Sequence, residues 1–241
     1  DTSAIVIDTG PADADPQACL RWAGVEHIEA IYLTHPHADH IGGAKSLLGS
    51  PMAAGQKSIE VSGKYAENPA SYPGLPIHQV QPSQLTYPKE NLELRILEAP
   101  SSSEVIPGSS KNSQENNSSL VIQAQFHGNS AHGDLSILLT GDIEQAEIQS
   151  LLRENPTLRA DILKVPHHGS KHSGAQLFEK LKPPINIISA GVNNSYGHPH
   201  PETLQSIKDL HLLAFTTAEH GSIAVSAPAS EHQAQVSFQK P

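Results

Sequence analysis

Apolar residues along the chain gather in short runs between polar, proline- and glycine-bearing stretches: Ile5-Val6-Ile7, Ile28 to Leu33, Leu120-Val121-Ile122, Ile137-Leu138-Leu139, Ile162-Leu163 and Ile185 to Ile188. Runs of this length bounded by turn formers read as buried strands. The pattern predicts strands at 4–8, 28–34, 58–62, 77–81, 92–98, 119–126, 134–140, 161–165, 185–190, 211–216, 222–227 and 233–239. Helices are expected at about 16–23, 41–48, 143–154, 174–181 and 201–209. Strands 119–126 and 134–140 suit a hairpin through 127–133. The first half is richer in strands and the second alternates helix and strand, which fits two sheets packed face to face with helices outside. Residues 100–119 are polar and poor in apolar side chains, and read as a mobile surface loop.

At 241 residues the chain is expected to form a single domain, 1–241. Asp1 stands just ahead of the first predicted strand, so the chain reads as a domain excised from a larger protein, or as a processed one. No apolar stretch approaches the roughly 20 residues that span a bilayer, and no secretory leader is recognisable. The chain is therefore expected to be soluble, with no membrane insertion of its own. A formal net charge of −10 counts against a broad basic face for nucleic acid. Two divalent ions bound in a cleft would nevertheless reverse the local field. Cys19 is the only cysteine, which excludes a disulfide framework and a cysteine-based zinc site within the chain. It is expected to be a small buried side chain beside Leu20 and Trp22.

The candidate chemistry lies where strands end. His35-Pro36-His37-Ala38-Asp39-His40 follows strand 28–34 and precedes a helix start at Ile41-Gly42-Gly43. Its spacing can serve two ions: His35 and His37 converge on one, while Asp39 and His40 turn toward a second. Asp142, after Gly141 at the end of strand 134–140, suits a carboxylate bridging two cations; the competing reading is an N-cap for a helix from Ile143. Of the adjacent His167 and His168, at most one can join the metal pair, leaving the other to contact a substrate oxygen or orient a ligand. Gly169 and Ser170 can offer backbone N–H groups to an anion. His198 suits a contact to substrate or metal, and His200 suits either that role or a place at the next helix start. Asp8 can support the histidine loop by accepting hydrogen bonds from its backbone or from a ligand histidine. Eight of the fifteen histidines fall in the clusters 35–40, 167–172 and 198–200.

These segments, in this order, resemble the metallo-β-lactamase superfamily. More narrowly, Asp8-Thr-Gly, Thr34 to Gly43, Asn117-Ser-Ser-Leu-Val121, Leu138 to Ile143, Lys164 to Ser170 and Tyr196-Gly-His-Pro199 resemble the hydrolase domain of ComEC-type competence proteins. The resemblance implies an α/β chain folded as an αββα four-layer sandwich. It implies two divalent ions, zinc or manganese, with His35 and His37 on the first, Asp39 and His40 on the second, and Asp142 bridging. His168 is the remaining ligand, with His167 the alternative. It also implies a deoxyribonuclease that degrades one strand of incoming DNA, joined to a membrane channel part of the same protein. Such a domain would be attached to the bacterial inner membrane on its extracytoplasmic side. Two departures stand out. Many competence domains carry Asp where His37 stands, and the superfamily's middle metal histidine, expected between 43 and 142, has no motif-anchored counterpart.

The mechanism so implied is metal-assisted hydrolysis of a phosphodiester. Asp39 or Asp142 holds the nucleophile, and His167 or His198 contacts the phosphate or the leaving oxygen. Two other readings remain open at this level. One is a freestanding metallo-phosphoesterase or ester hydrolase acting on a small or cell-wall substrate, favoured by the acidic charge. The other is a non-catalytic metal-binding domain of a membrane assembly.

Overall fold

The structure, a computed structural model, describes residues 2–62, 66, 70–99, 110–128, 134–226 and 234–239. The chain divides into two compact units, one of residues 1–84 and 96–120, the other of 85–95 and 121–241.

The first unit is built on a four-stranded sheet whose strands fall where strands are expected. Strands β1 (Ser3–Ile7), β2 (His27–Leu33), β3 (Ile59–Val61) and β4 (Ile77–Gln79) lie side by side in sequence order, all parallel. Parallel neighbours require a crossover, and helix α1 (Pro16–Trp22) supplies it between β1 and β2. Val6, Ile28, Ile31, Leu33, Ile59 and Val61 form the core with Ala44 and Leu47 from a short helix. None of α1 is buried, and Cys19 is exposed, which corrects the expectation of a buried thiol. The physical reason is that α1 covers the sheet only partially, with Leu20 and Trp22 half-buried.

The helix predicted at 41–48 divides in two: α2 (Ala38–Ile41) and α3 (Ala44–Leu48), separated by Gly42 and Gly43. Both glycines are required by close approach. A Cβ on Gly42 would lie 2.3 Å from the Ala12 nitrogen, and one on Gly43 would lie 2.5 Å from the Thr9 carbonyl oxygen. The chain leaving β1 thus packs directly on the chain after the histidine loop. Hydrogen bonds from the Thr9 N–H and Oγ1 to the His40 carbonyl, at 2.8 and 3.0 Å, tie the two together.

The polar stretch 100–119 lies in part outside the described residues, at 100–109. Its described part is not an open loop. Lys111–Asn116 forms helix α4, its Ser110 cap accepting from the Ser113 N–H at 3.1 Å. Asn116, Asn117, Ser118 and Ser119 are buried. Polarity misled here because the backbone and hydroxyls of this segment bond one another, as in Ser118 Oγ to the Glu115 carbonyl.

The second sheet has seven strands: β5 (Leu85–Lys89), β6 (Leu92–Glu98), β7 (Val121–Phe126), β8 (Leu135–Leu139), β9 (Ile162–Lys164), β10 (Ile185–Ile188) and β11 (Leu213–Thr216). Their spatial order is β11-β10-β9-β8-β7-β6-β5, and the boundary between the units falls within β6. β7 and β8 form the expected antiparallel hairpin, Ile122 opposite Leu139; residues 129–133 of its loop lie outside the described residues. β8, β9, β10 and β11 run parallel. Helices α5 (Gln145–Glu154), α6 (Ala175–Leu181) and α7 (Pro201–Asp209) bury Ile148, Leu151, Leu177, Phe178, Leu181 and Ile207. β5 was not expected. It carries Pro88, which cannot donate to a ladder, and its pairing with β6 is irregular between Thr86 and Lys89; an edge strand tolerates both. Thr217–His220 (α8) and the antiparallel pair β12 (Ser222–Ser226) and β13 (Gln235–Gln239) complete the described residues.

Candidate metal centre

In the first unit the candidate ligands gather where β2 ends. Asp8 leaves β1 in a left-handed conformation (φ 60°), and its carboxylate accepts from the Thr34 N–H at 2.8 Å and the Thr34 hydroxyl at 2.9 Å. The same carboxylate lies 2.7 Å from His40 Nδ1. Burial alone would raise the Asp8 pKa. The charge and hydrogen bond of His40, the Thr34 N–H and the charge of His35 outweigh it, and hold the carboxyl below its ordinary value. Asp8 thereby fixes both the start of the loop and one nitrogen of His40.

The other imidazoles are oriented the same way. His35 is fully buried, and its Nδ1 faces the hydroxyls of Thr34 and Ser119 at 3.1 and 3.3 Å. Its Nε2 lies 3.0 Å from His37 Nδ1. The second nitrogen of His37 lies 2.9 Å from the Glu115 carboxylate, on α4. Because a carboxylate accepts, His37 Nε2 carries the proton and Nδ1 is the lone-pair atom beside His35. Two nitrogens on one tetrahedral zinc stand about 3.4 Å apart for bonds near 2.1 Å, so the His35–His37 separation suits a shared ion.

Asp39 and His40 lie in the first turn of α2 rather than in the loop expected there. Consecutive residues of a helix point about 100° apart, which leaves Asp39 exposed and His40 buried. Their ligand atoms, Asp39 Oδ2 and His40 Nε2, are nevertheless 4.0 Å apart. Beside His37 this unit places Glu115, whose carboxylate contacts the ring nitrogen turned away from His35. His78, the one histidine of its described residues between 43 and 120, pairs with Glu60 at 2.6 Å instead.

In the second unit the ligands follow β8 and β9. Asp142 is buried and does not cap a helix: α5 begins at Gln145, with Glu144 at its cap position. Asp142 Oδ2 lies 3.2 Å from His168 Nε2, and its other oxygen is 3.5 Å from Lys164 Nζ. Lys164 also donates to the Gly141 carbonyl at 2.9 Å, holding the turn before Asp142. His168 Nδ1 donates to the Ser189 carbonyl at 2.7 Å, which fixes the ring with Nε2 turned toward Asp142.

His167 and His168 both adopt left-handed conformations, with φ of 46° and 52°. Such strain costs on the order of 1–3 kcal/mol per residue and persists where surrounding structure enforces it. Its result is that the two rings diverge: His168 Nε2 faces Asp142, while His167 Nδ1 lies 3.4 Å from the Glu144 carboxylate. Burial lowers the pKa of His167, opposed by the charges of Asp142 and Glu144. Burial, with the charges of His167 and His168, also lowers that of His198, whose ring centroid is 5.6 Å from His167.

Ser170 departs from the expected anion contact. Its N–H donates to the His167 carbonyl at 2.8 Å, its hydroxyl accepts from the His172 N–H, and it is buried, so it closes the turn. Gly169 is likewise buried, its carbonyl accepting from the His200 N–H at 2.8 Å. His200 is the N-cap of α7, Nδ1 accepting from the Glu202 N–H at 3.3 Å. Sequence reasoning passed over Glu115 and Lys164. Nothing local marks Glu115; the signal for Lys164 was a lone cation ending an apolar strand.

A model of the β-lactamase superfamily domain matches residues 3–177. The chain is 32% identical over 213 residues to ComE operon protein 3 of Bacillus subtilis, covering 85% of this chain and 25% of that protein. It is 26% identical over 200 residues to competence protein ComA of Neisseria gonorrhoeae, with 81% and 25% covered. The chain thus spans about a quarter of the length of these curated relatives. Among solved structures, the Rm3 metallo-β-lactamase superposes with a TM-score of 0.50 at 15% identity, covering 73% of this chain and 72% of that one. The chain belongs to the β-lactamase superfamily, with the metallo-hydrolase fold and with homologues among the ComEC-type competence proteins.

Proposed function

We propose that the chain is a metal-dependent phosphodiesterase, a deoxyribonuclease that degrades one strand of DNA during competence-type uptake. The observation that carries this is the orientation of the four imidazoles. In His35, His37, His40 and His168, one ring nitrogen is engaged by a hydroxyl, carboxylate or carbonyl, and the other lies 3.0–4.0 Å from another candidate ligand. Imidazoles held this way are the usual arrangement around a metal ion. The competence homologues support DNA as the substrate.

The proposed ligand set is His35 and His37 for one divalent ion, Asp39, His40 and His168 for a second, and Asp142 for both. All six offer nitrogen or oxygen, which suits zinc or manganese. A bound pair of such ions supplies a water-derived nucleophile near neutral pH and offsets charge on the phosphoryl oxygens. The protein's own part is positional. Asp39 and Asp142 orient the attacking water through their carboxylates. His167, its Nδ1 3.4 Å from the Glu144 carboxylate, serves the leaving oxygen through Nε2, and His198 contacts the phosphate. We place the domain beside the membrane channel part of a longer protein, on the extracytoplasmic side of the inner membrane.

The test is cleavage of linear single- and double-stranded DNA with manganese, zinc or magnesium. His37→Ala and Asp142→Ala should abolish cleavage and lower the bound metal. Unchanged activity and metal content in both variants would falsify the reading. The net charge of −10 favours a second one, a phosphoesterase of small substrates. Salt dependence separates them: DNA affinity that falls steeply with salt supports nucleic acid, and hydrolysis confined to small esters supports the alternative.

A further inference from the structure

Beside the histidine turn, the second unit carries a clamped loop whose outermost side chain is aromatic. The loop follows β10 and is fastened by Asn194, whose Nδ2 donates to the carbonyls of Gly191 and His198 at 2.9 and 2.6 Å. Its Oδ1 accepts from the His198 N–H at 2.9 Å. The loop also rests directly on the histidine turn. A Cβ on Gly169 would lie 2.8 Å from the Pro199 Cβ, and the His200 N–H donates to the Gly169 carbonyl.

From this base a ladder of rings leads outward. His168 and His167 are 6.3 Å apart between centroids, His167 and His198 5.6 Å, and His198 and Tyr196 6.0 Å. The first two contacts are edge-on, while the last is near-parallel, with 18° between planes. Tyr196 is 80% exposed, and Val192 on the same loop is exposed as well. One face of the tyrosine is backed by His198, and the residue stands at the solvent end of the ladder that starts at a candidate ligand.

We propose that Tyr196, backed by His198, is a stacking platform for an unpaired nucleobase next to the scissile phosphodiester. This rests on the phosphodiesterase reading above. An exposed aromatic ring on a loop already held in place loses little freedom when a partner lands on it. The chain's charge of −10 gives little affinity through phosphate neutralisation. Stacking needs no charge, and every base has a π-face, so it grips a strand without reading its sequence. Bases inside a duplex are already stacked on one another, which makes the platform selective for single strands.

The experiment is fluorescence anisotropy with a labelled, phosphorothioate-linked oligothymidylate of about eight residues, within the span of single-strand sites, and with an abasic oligomer of equal length. Tyr196→Ala should weaken oligothymidylate binding about tenfold, while Tyr196→Phe stays within about twofold of wild type. The abasic oligomer should bind all three proteins equally weakly, and the tenfold ratio should persist as salt rises, because stacking is not screened. The platform is overturned by equal oligothymidylate affinity in wild type and Tyr196→Ala, by an equal loss on the abasic oligomer, or by wild type not binding oligothymidylate. It is also overturned if wild type prefers chitin oligosaccharides and Tyr196→Ala loses that preference. Hydrolysis of bis(p-nitrophenyl) phosphate by wild type is measured in parallel. Hydrolysis without a Tyr196 effect sinks the platform alone, whereas no hydrolysis with any added ion sinks the reading beneath it.

Discussion

At the scale of single residues, the first-unit site depends on carboxylates that touch imidazoles. Glu115 on His37 and Asp8 on His40 each hold one ring nitrogen and leave the other to face a neighbouring ligand atom. Partners of this kind typically contribute 10–100-fold to metal affinity. Glu115→Ala should therefore weaken the tighter of two divalent-ion binding steps by about that factor in isothermal titration, and Glu115→Asp should recover part of it. Titration curves identical to wild type would reduce the His37–Glu115 pair to an incidental contact. Asp8 has a structural role as well, since its loss leaves the buried Thr34 N–H and hydroxyl without their acceptor. Asp8→Ala should cost about 2–4 kcal/mol in urea unfolding. The proposed ligand residues were legible in sequence because H-x-H-x-D-H and the later aspartate and histidine stand at strand ends. Glu115 was not, because its partner is 78 positions away and nothing local marks it. Nor was the left-handed backbone of Asp8, His167 and His168, which only tertiary contacts enforce.

At the scale of elements, apolar runs located the central strands well, since a strand buried on both faces needs little else to declare itself. Among the elements that escaped, three did so because their evidence is local or polar. β5 holds a proline at a sheet edge, α4 lies in a segment of serines and asparagines, and α2 is a single turn inside what reads as a loop. The last matters for chemistry, because the helical turn buries His40 while exposing its neighbour Asp39. The glycines that follow are the price of packing that turn against the chain beyond β1. Gly42→Ala would push a methyl group to 2.3 Å from a backbone nitrogen, and overpacking of this kind costs about 1–3 kcal/mol. The prediction is a lowered urea midpoint with an unchanged m-value. An unaltered midpoint would show that the turn can shift aside without cost.

At the scale of the whole molecule, the fold was legible from motif order more than from any one segment, and the acidic charge is the feature that motif order does not explain. No helix among the described residues is long and apolar enough to cross a membrane, while the matched segment covers 25% of each competence relative. Bound ions should stabilise the chain as ligands of the folded state. At a free concentration near one hundred times Kd, the gain is about 2.7 kcal/mol. That corresponds to a rise in Tm of about 5–10 °C for a chain of this size, and chelation should reverse it in a thermal scan. The central claim, phosphodiester hydrolysis that depends on bound metal, is tested most directly by chelating the purified protein and returning manganese in measured steps while following nucleotide release from linear single-stranded DNA. The account predicts no release after chelation and full recovery as bound metal approaches about two ions per chain. Release that survives chelation, or none with any divalent ion, would contradict it.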